Sequence, residues 1–202
     1  MRFETAAAAI FAASLSCAAT AGVVDPFTDQ AAWEAALGNT GIVADDFSAY
    51  GEVDLNLGVN TGFNGYDIQL EGTDNGDAGI NSATNLTFTL DENGLSKLSF
   101  VFDQDLNGFG GIWLNSFVSN GLTVENGIAS FDVESFVPAP SFEFFGFTSS
   151  VPFNTVTITL TEPIQSTEFA ALSDILYQNV PTPGAASLVA LAGLAATRRR
   201  RA

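Results

Sequence analysis

From Thr155 to Thr161 the chain reads Thr-Val-Thr-Ile-Thr-Leu-Thr, a strict alternation that sends the apolar side chains to one side and the threonines to the other. Only an extended strand uses that period, and β-branched residues suit it. The signature recurs along the chain. Leu86, Phe88 and Leu90 alternate with Thr87 and Thr89, Asp91 to Gly94 supplies turn chemistry, and Leu98, Phe100 and Phe102 then alternate with Ser99 and Val101. Within residues 121–133, Asn126-Gly127 stands between two short runs, the strongest short hairpin signal. Further strands are expected over residues 42–47, 66–70, 111–117, 141–147 and 169–177. About nine or ten strands so closely spaced leave no room for the helical crossovers of a parallel sheet. The fold class this predicts is all-β, an antiparallel β-sandwich of jelly-roll type, with one short N-terminal helix and a C-terminal hydrophobic helix. The short helix is expected over residues 28–37: Thr28 caps it, Asp29 complements its dipole, Gly38 closes it, and Ala32, Trp33, Ala36 and Leu37 form its apolar face.

Charge narrows the function. The 202 residues include 23 acidic and six basic side chains and no His. Between Gly22 and Pro183, 22 carboxylates face Lys97 alone, a balance of −21. Such a surface repels phosphate backbones, which argues against nucleic acid as a partner, and attracts divalent cations. The single Cys, Cys17, falls in the N-terminal apolar stretch, so the body beyond it has no disulfide, thiolate nucleophile or Cys/His metal site. It also lacks a His base and a Gly-x-Ser-x-Gly elbow. Paired carboxylates are so abundant that their presence discriminates nothing. The expectation is a protein that is not an enzyme.

Three domains are expected. Residues 1–21 read as a signal peptide: Arg2, an Ala-rich apolar stretch, then Ala19-Thr20-Ala21, the small-x-small pattern cut by signal peptidase after Ala21. Residues 22–179 form the β-sandwich ectodomain. Residues 180–202 hold three parts in order: the turn Pro181-Thr182-Pro183-Gly184, an apolar stretch from Ala185, and the basic stop Arg198, Arg199, Arg200 and Arg201. The 13 residues from Ala185 to Thr197 span about 20 Å as a helix, short of the ~30 Å hydrocarbon core. Arginines at the end hold such a segment's C-terminus on the cytoplasmic side.

This tail resembles the PEP-CTERM sorting domain, with Thr182 in the place of the family's Glu. The resemblance implies processing by an exosortase-like membrane transpeptidase, export to the cell surface or extracellular matrix, and transient anchoring in the inner membrane. An anchor that is never processed is the alternative. The body is also similar to jelly-roll ectodomains that accompany such tails. It shares their pattern in QAAWEAAL, DDF, LTFTL, LSFVFDQDLNGFGG, FEFFGFTSSVPFNTVTITL and ALSDILY, over roughly residues 28–178.

Three groups of residues invite a binding role. Asp103, Asp105 and Asn107 with Gly108 match the opening D-x-D-x-N-G of a Ca²⁺ loop, whose alternating oxygens would converge on one hard cation. Leu114 stands where the bidentate Glu belongs, and the competing reading is a polar β-turn. Asp45 or Asp46 could join Asp174 in a Ca²⁺ site between the first and last strands, as jelly-roll carbohydrate-binding modules suggest by analogy. Trp113 offers sugar stacking if it faces solvent, and a core position otherwise; residues 142–147, rich in Phe, pose the same choice between platform and core. The function expected is a non-catalytic exported surface or exopolysaccharide-matrix protein that binds polysaccharide or calcium. A jelly-roll lyase or hydrolase and a purely structural adhesion component are the alternatives.

Overall fold

The computed structural model describes residues 22–72, 77–80, 85–89, 97–115, 122–138, 141–160 and 170–180. The signal-peptide residues Ala19 and Ala21, the motif Pro181 to Gly184, the expected C-terminal helix and Arg198 to Arg201 lie outside them. The described chain is all-β and antiparallel, with one α-helix. Its elements are β1 (Val24–Phe27), α1 (Gln30–Ala36), β2 (Ile42–Asp45), β3 (Val53–Leu55), β4 (Asn60–Gly62), β5 (Tyr66–Glu71), β6 (Asp77–Ile80), β7 (Leu86–Thr89), β8 (Lys97–Asn115), β9 (Leu122–Glu125), β10 (Ser130–Asp132), a 3₁₀ turn (Val133–Ser135), β11 (Ser141–Leu160) and β12 (Ala170–Asn179). Among the described residues no helix is long and apolar enough to cross a membrane.

Two strands of 19 and 20 residues, β8 and β11, organise the molecule. They pair along their length, with register shifts between Thr148 and Thr155. Their neighbours change along the way. The first part of β8 pairs with β5 and its second part with β12. The first part of β11 pairs with β1 and its last part with β9. Each long strand therefore passes from one layer into the other, and the bulged residues make the corner. One layer runs β1-β11-β8-β12-β2, with β7, β6 and β3 continuing from the start of β12. The second runs β10-β9-β11-β8-β5-β4. Aromatic rings fill the space between them: Phe102 meets Tyr177 at 4.9 Å, Phe100 meets Phe109 at 5.6 Å and Phe131 meets Phe147 at 5.3 Å between centroids.

Several local expectations change under this pairing. The segment Asp103 to Gly108 is neither a Ca²⁺ loop nor a turn. It continues β8, because Leu106 pairs with Phe153 on one side and Asn179 on the other, and Gly108 pairs with Thr148 and Gln178. Turn-forming residues are drawn into a strand because ladder partners exist on both edges. The expected strand over 141–147 and the described residues 155–160 of the threonine alternation are likewise parts of one strand, β11. The runs at Leu86 and Leu98 are both strands but not partners: β7 pairs with β6 and β12, and β8 with β5 and β11. The Asn126-Gly127 hairpin forms as expected between β9 and β10, with Gly127 at φ 76° and Asn126 Oδ1 accepting the Ile128 and Ala129 amides.

The helix packs on the outer face of the first layer. Its N-cap is Asp29, one residue after the expected Thr28, whose carboxylate accepts the Ala32 amide at 2.7 Å. Gly38, at φ 79°, closes its other end by donating to Ala35. Trp33 is buried and Leu37 half-buried, while Ala32 and Ala36 face solvent. Beneath them the sheet is stripped of Cβ atoms. A Cβ on Gly108 would stand 2.8 Å from Leu37, and Cβ atoms on Gly110 and Gly146 would stand 2.9 and 2.8 Å from the Phe144 ring. These glycines make a floor on which Trp33, Leu37 and Phe144 lie. Gln178 fastens the helix exit: its Nε2 donates to Leu37 O at 2.9 Å and Thr40 O at 2.6 Å.

Candidate functional site

The residues singled out for calcium do not assemble. Asp103 and Asp105 are exposed and Asn107 is half-buried along an extended strand. Four residues of strand cover roughly 13 Å, too far for these oxygens to share one coordination shell. Among the described residues no group of three or more acidic, His or Cys side chains is placed to hold a metal. The pairing of first and last strands is different. β2 does lie against β12, with Asp45 opposite Ile175, next to Asp174. Yet Asp46 turns to Ser48, accepting its amide at 3.0 Å and its hydroxyl at 2.6 Å, bonds that lower its pKa. Asp174 Oδ2 accepts the Ser173 hydroxyl at 3.4 Å. Asp46 thus serves the turn after β2, and Asp174 contacts its own neighbour within β12.

Trp113 is not a sugar platform. It is 1 % exposed, packed against Phe145 in the main core, and its indole N–H donates to Phe145 O at 3.0 Å. The apolar body and the polar handle are both satisfied inside. The Phe-rich run divides in the same way: Phe144, Phe145 and Phe147 are buried, and Phe142 is 54 % exposed.

The polar centre that the structure does build is one the residue patterns gave no sign of. All three tyrosines of the chain gather around Asp45. Tyr50 Oη and Tyr66 Oη both donate to Asp45 Oδ2, at 2.7 and 2.9 Å, and the Phe47 amide donates to Oδ1 at 2.8 Å. Tyr50 Oη also accepts the Asn64 amide at 3.2 Å, and Tyr177 Oη donates to Asn64 O at 3.3 Å. The carboxylate thus ties the turn after β2 to the start of β5, and Asn64 links that corner to β12. Phe47 sits at φ 60°, a left-handed conformation uncommon for a bulky residue, and its ring is fully buried. Burial, and secondarily the charge of Asp45, pushes the Tyr66 and Tyr177 phenols above their ordinary values. Burial raises Tyr50 as well, against the opposing Asn64 hydrogen bond. The phenols are therefore donors at neutral pH, and the Asp45 carboxylate accepts three hydrogen bonds from within the fold. The arrangement is a clasp. Its trace in the sequence is slight: three tyrosines spread over 128 positions, each beside strand residues, with contacts that only the folded register creates.

No family model matches the chain, and no curated protein matches it.

Proposed function

We propose that this is an exported, non-catalytic protein of the cell surface or exopolysaccharide matrix, delivered by a signal peptide and sorted through its C-terminal tail by an exosortase-like enzyme. One observation carries the reading. An acidic β-body with a balance of −21 stands between an Ala-x-Ala leader and the ordered series Pro-Thr-Pro-Gly, apolar stretch and four arginines. The ladder-paired body, from Val24 to Asn179, falls between the two segments to which the motifs give export roles. The half-buried Asp45 carboxylate spends its hydrogen bonds on Tyr50, Tyr66 and the Phe47 amide, which supports an architectural role for that centre. Signal peptidase and the exosortase-like transpeptidase are its processing partners, and the tail associates with the membrane only in transit. Extracellular polysaccharide is the partner met afterwards. Calcium as a specific ligand finds no support in the placement of Asp103, Asp105, Asn107, Asp46 and Asp174.

Intact-mass analysis of the protein from its own host tests the proposal. The expected species begins at Gly22 and lacks the residues after the Pro181–Gly184 motif. A full-length chain recovered from the cytosol, with Met1 and the four arginines in place, refutes it.

A further inference from the structure

The two outer faces of the sandwich are built differently. The first layer carries helix α1 on its glycine floor, whereas the second layer has two straight rows of polar side chains, half-buried to exposed except for the buried Ser99. Gln69, Ser99, Thr157, Glu125 and Ser130 stand side by side on β5, β8, β11, β9 and β10. One register step along, Glu71, Lys97, Thr159, Thr123 and Asp132 form the second row. The residues between the rows, including Leu70, Leu98, Ile158 and Val124, point into the core and are buried. The face is pre-set: Ser99 and Thr157 bridge their hydroxyls at 3.1 Å, Thr123 and Thr159 do the same, and threonine χ1 is stiff. These four hydroxyl side chains have little entropy left to lose on binding.

The chemistry of the face is acceptor-rich. In each bridge one hydroxyl donates and the other accepts, so lone pairs remain on all four oxygens, and Glu71, Glu125 and Asp132 add carboxylates against the single ammonium of Lys97. A complementary ligand is rich in donors and carries positive charge. Its shape follows from the spacing. Neighbouring groups in a row are ~4.8 Å apart, and five strands extend the row over about 19 Å, so a chain laid across the strands meets a new acceptor at about every sugar ring. We infer that this face binds an extended polysaccharide bearing free amino groups, with ammonium groups at Glu125 and its neighbours and sugar hydroxyls along the half-buried Thr157, Thr159 and Thr123, Ser99 itself being buried. Uronate or sulfate polymers are disfavoured by the like charge of both partners. The inference rests on the extracellular reading only for where the polymer is met; binding is measured on purified protein, so its failure leaves export standing, and failed export leaves binding standing.

The test is retention of the mature protein, purified from its host, on partly deacetylated glucosamine polymer in about 0.15 M salt, where the Debye length is ~8 Å and diffuse attraction is damped. Fully acetylated polymer, a uronate polymer and a lysine-rich peptide are the comparison ligands. Thr157→Val with Glu125→Gln alters the face, and Asp25→Asn removes an exposed charge from β1 in the other layer. Should the double variant fold poorly, Glu125→Gln alone reads the same face. Retention of wild type on the deacetylated polymer, weakened about tenfold by the face variant and unchanged by Asp25→Asn, is expected for the loss of one or two such contacts. No retention of wild type, equal loss in both variants, or a face-dependent preference for the peptide or the uronate polymer overturns the inference.

Discussion

Tyr66 donates its phenolic hydrogen to Asp45 Oδ2 across 2.9 Å, joining residues 21 positions apart at the corner where β2 ends and β5 begins. Tyr66 is 1 % exposed and Asp45 half-buried, so the bond lies at the edge of the core. Tyr66→Phe keeps the ring and removes the donor, and a hydrogen bond to a charged group contributes about 1.5–3 kcal/mol. The expected loss of stability is in that range, read as a lower urea midpoint with unchanged slope. Asp45→Ala is expected to cost more, since it strands the Tyr50 and Tyr66 hydroxyls and the Phe47 amide together. Equal costs for the two substitutions would show that the carboxylate organises nothing beyond Tyr66.

The same cluster predicts how stability responds to alkali. The Tyr66, Tyr50 and Tyr177 phenols are held above their ordinary values in the folded protein, chiefly by burial. Their unfolded counterparts ionise near pH 10. The stabilisation from keeping them protonated is therefore full below pH ~10 and is lost as pH rises through the folded values. For Tyr66 the slope reaches about 1.4 kcal/mol per pH unit once the unfolded phenol is ionised. Urea midpoints measured from pH 8 to 11.5 are expected to be flat at first and then fall, with a shallower fall in Tyr66→Phe. An identical fall in that variant would place the alkaline loss outside this phenol.

How much of this was legible beforehand depends on the range over which each signal acts. The threonine alternation from Thr155 and the Asn126-Gly127 hairpin are local: their periodicity and turn chemistry act within a few residues, and the structure keeps both. The helix was placed to within a residue of its cap for the same reason. Asp103 to Gly108 misleads because its turn chemistry is equally local, while the pairing of Leu106 with Phe153 and Asn179 that overrides it is not. Trp113 was open between solvent and core because a lone indole in a strand carries no mark of which face is covered. The clasp at Asp45 was invisible for the strongest version of that reason, since Tyr177 reaches Asn64 across 113 positions. The hydroxyl rows lie between these cases. Thr155 to Thr161 shows one column of them, and only the register shows that Ser99, Thr123 and Glu125 continue them sideways.

Glycines in the helix-facing floor give a packing prediction free of backbone strain. Gly110 and Gly146 have ordinary strand conformations, yet a Cβ at Gly146 would lie 2.8 Å from the Phe144 ring and 2.9 Å from Gly110 Cα. Gly146→Ala is expected to destabilise by about 1–3 kcal/mol through overpacking. Gly110→Ala, whose close neighbours are mainly the movable Phe144 ring, is expected to cost less and to be partly rescued by Phe144→Leu. Thermal unfolding of the single and double variants checks this, and no coupling between Gly110→Ala and Phe144→Leu would contradict the floor.

Gln178 offers a test confined to one element. It is 8 % exposed and supplies both amide hydrogens to the carbonyls of Leu37 and Thr40, at the exit of α1. Gln178→Leu preserves bulk and leaves those carbonyls without a side-chain donor, at a cost of about 1–3 kcal/mol. Because the helix is seven residues long, too short to be stable alone, its docking should weaken before the sheet does. Hydrogen exchange is expected to accelerate in residues 30–39 while β8 and β11 keep their protection. Uniform acceleration throughout the sandwich would instead make Gln178 part of the global core.

The acidic body also makes a definite prediction about cations. With a balance of −21, any divalent ion stabilises the folded chain by screening self-repulsion. A specific Ca²⁺ site would add to this through ligand number and cavity size, which favour Ca²⁺ over the smaller, strictly octahedral Mg²⁺. Asp103, Asp105 and Asn107 are stretched along β8, so no such preference is expected from them. Melting temperatures in equal millimolar Ca²⁺ and Mg²⁺ should rise together, fall back together on chelation, and respond alike in Asp103→Asn with Asp105→Asn. A Ca²⁺ shift well above the Mg²⁺ shift, and lost in that double variant, would mean that this stretch of β8 closes into a loop around the ion after all.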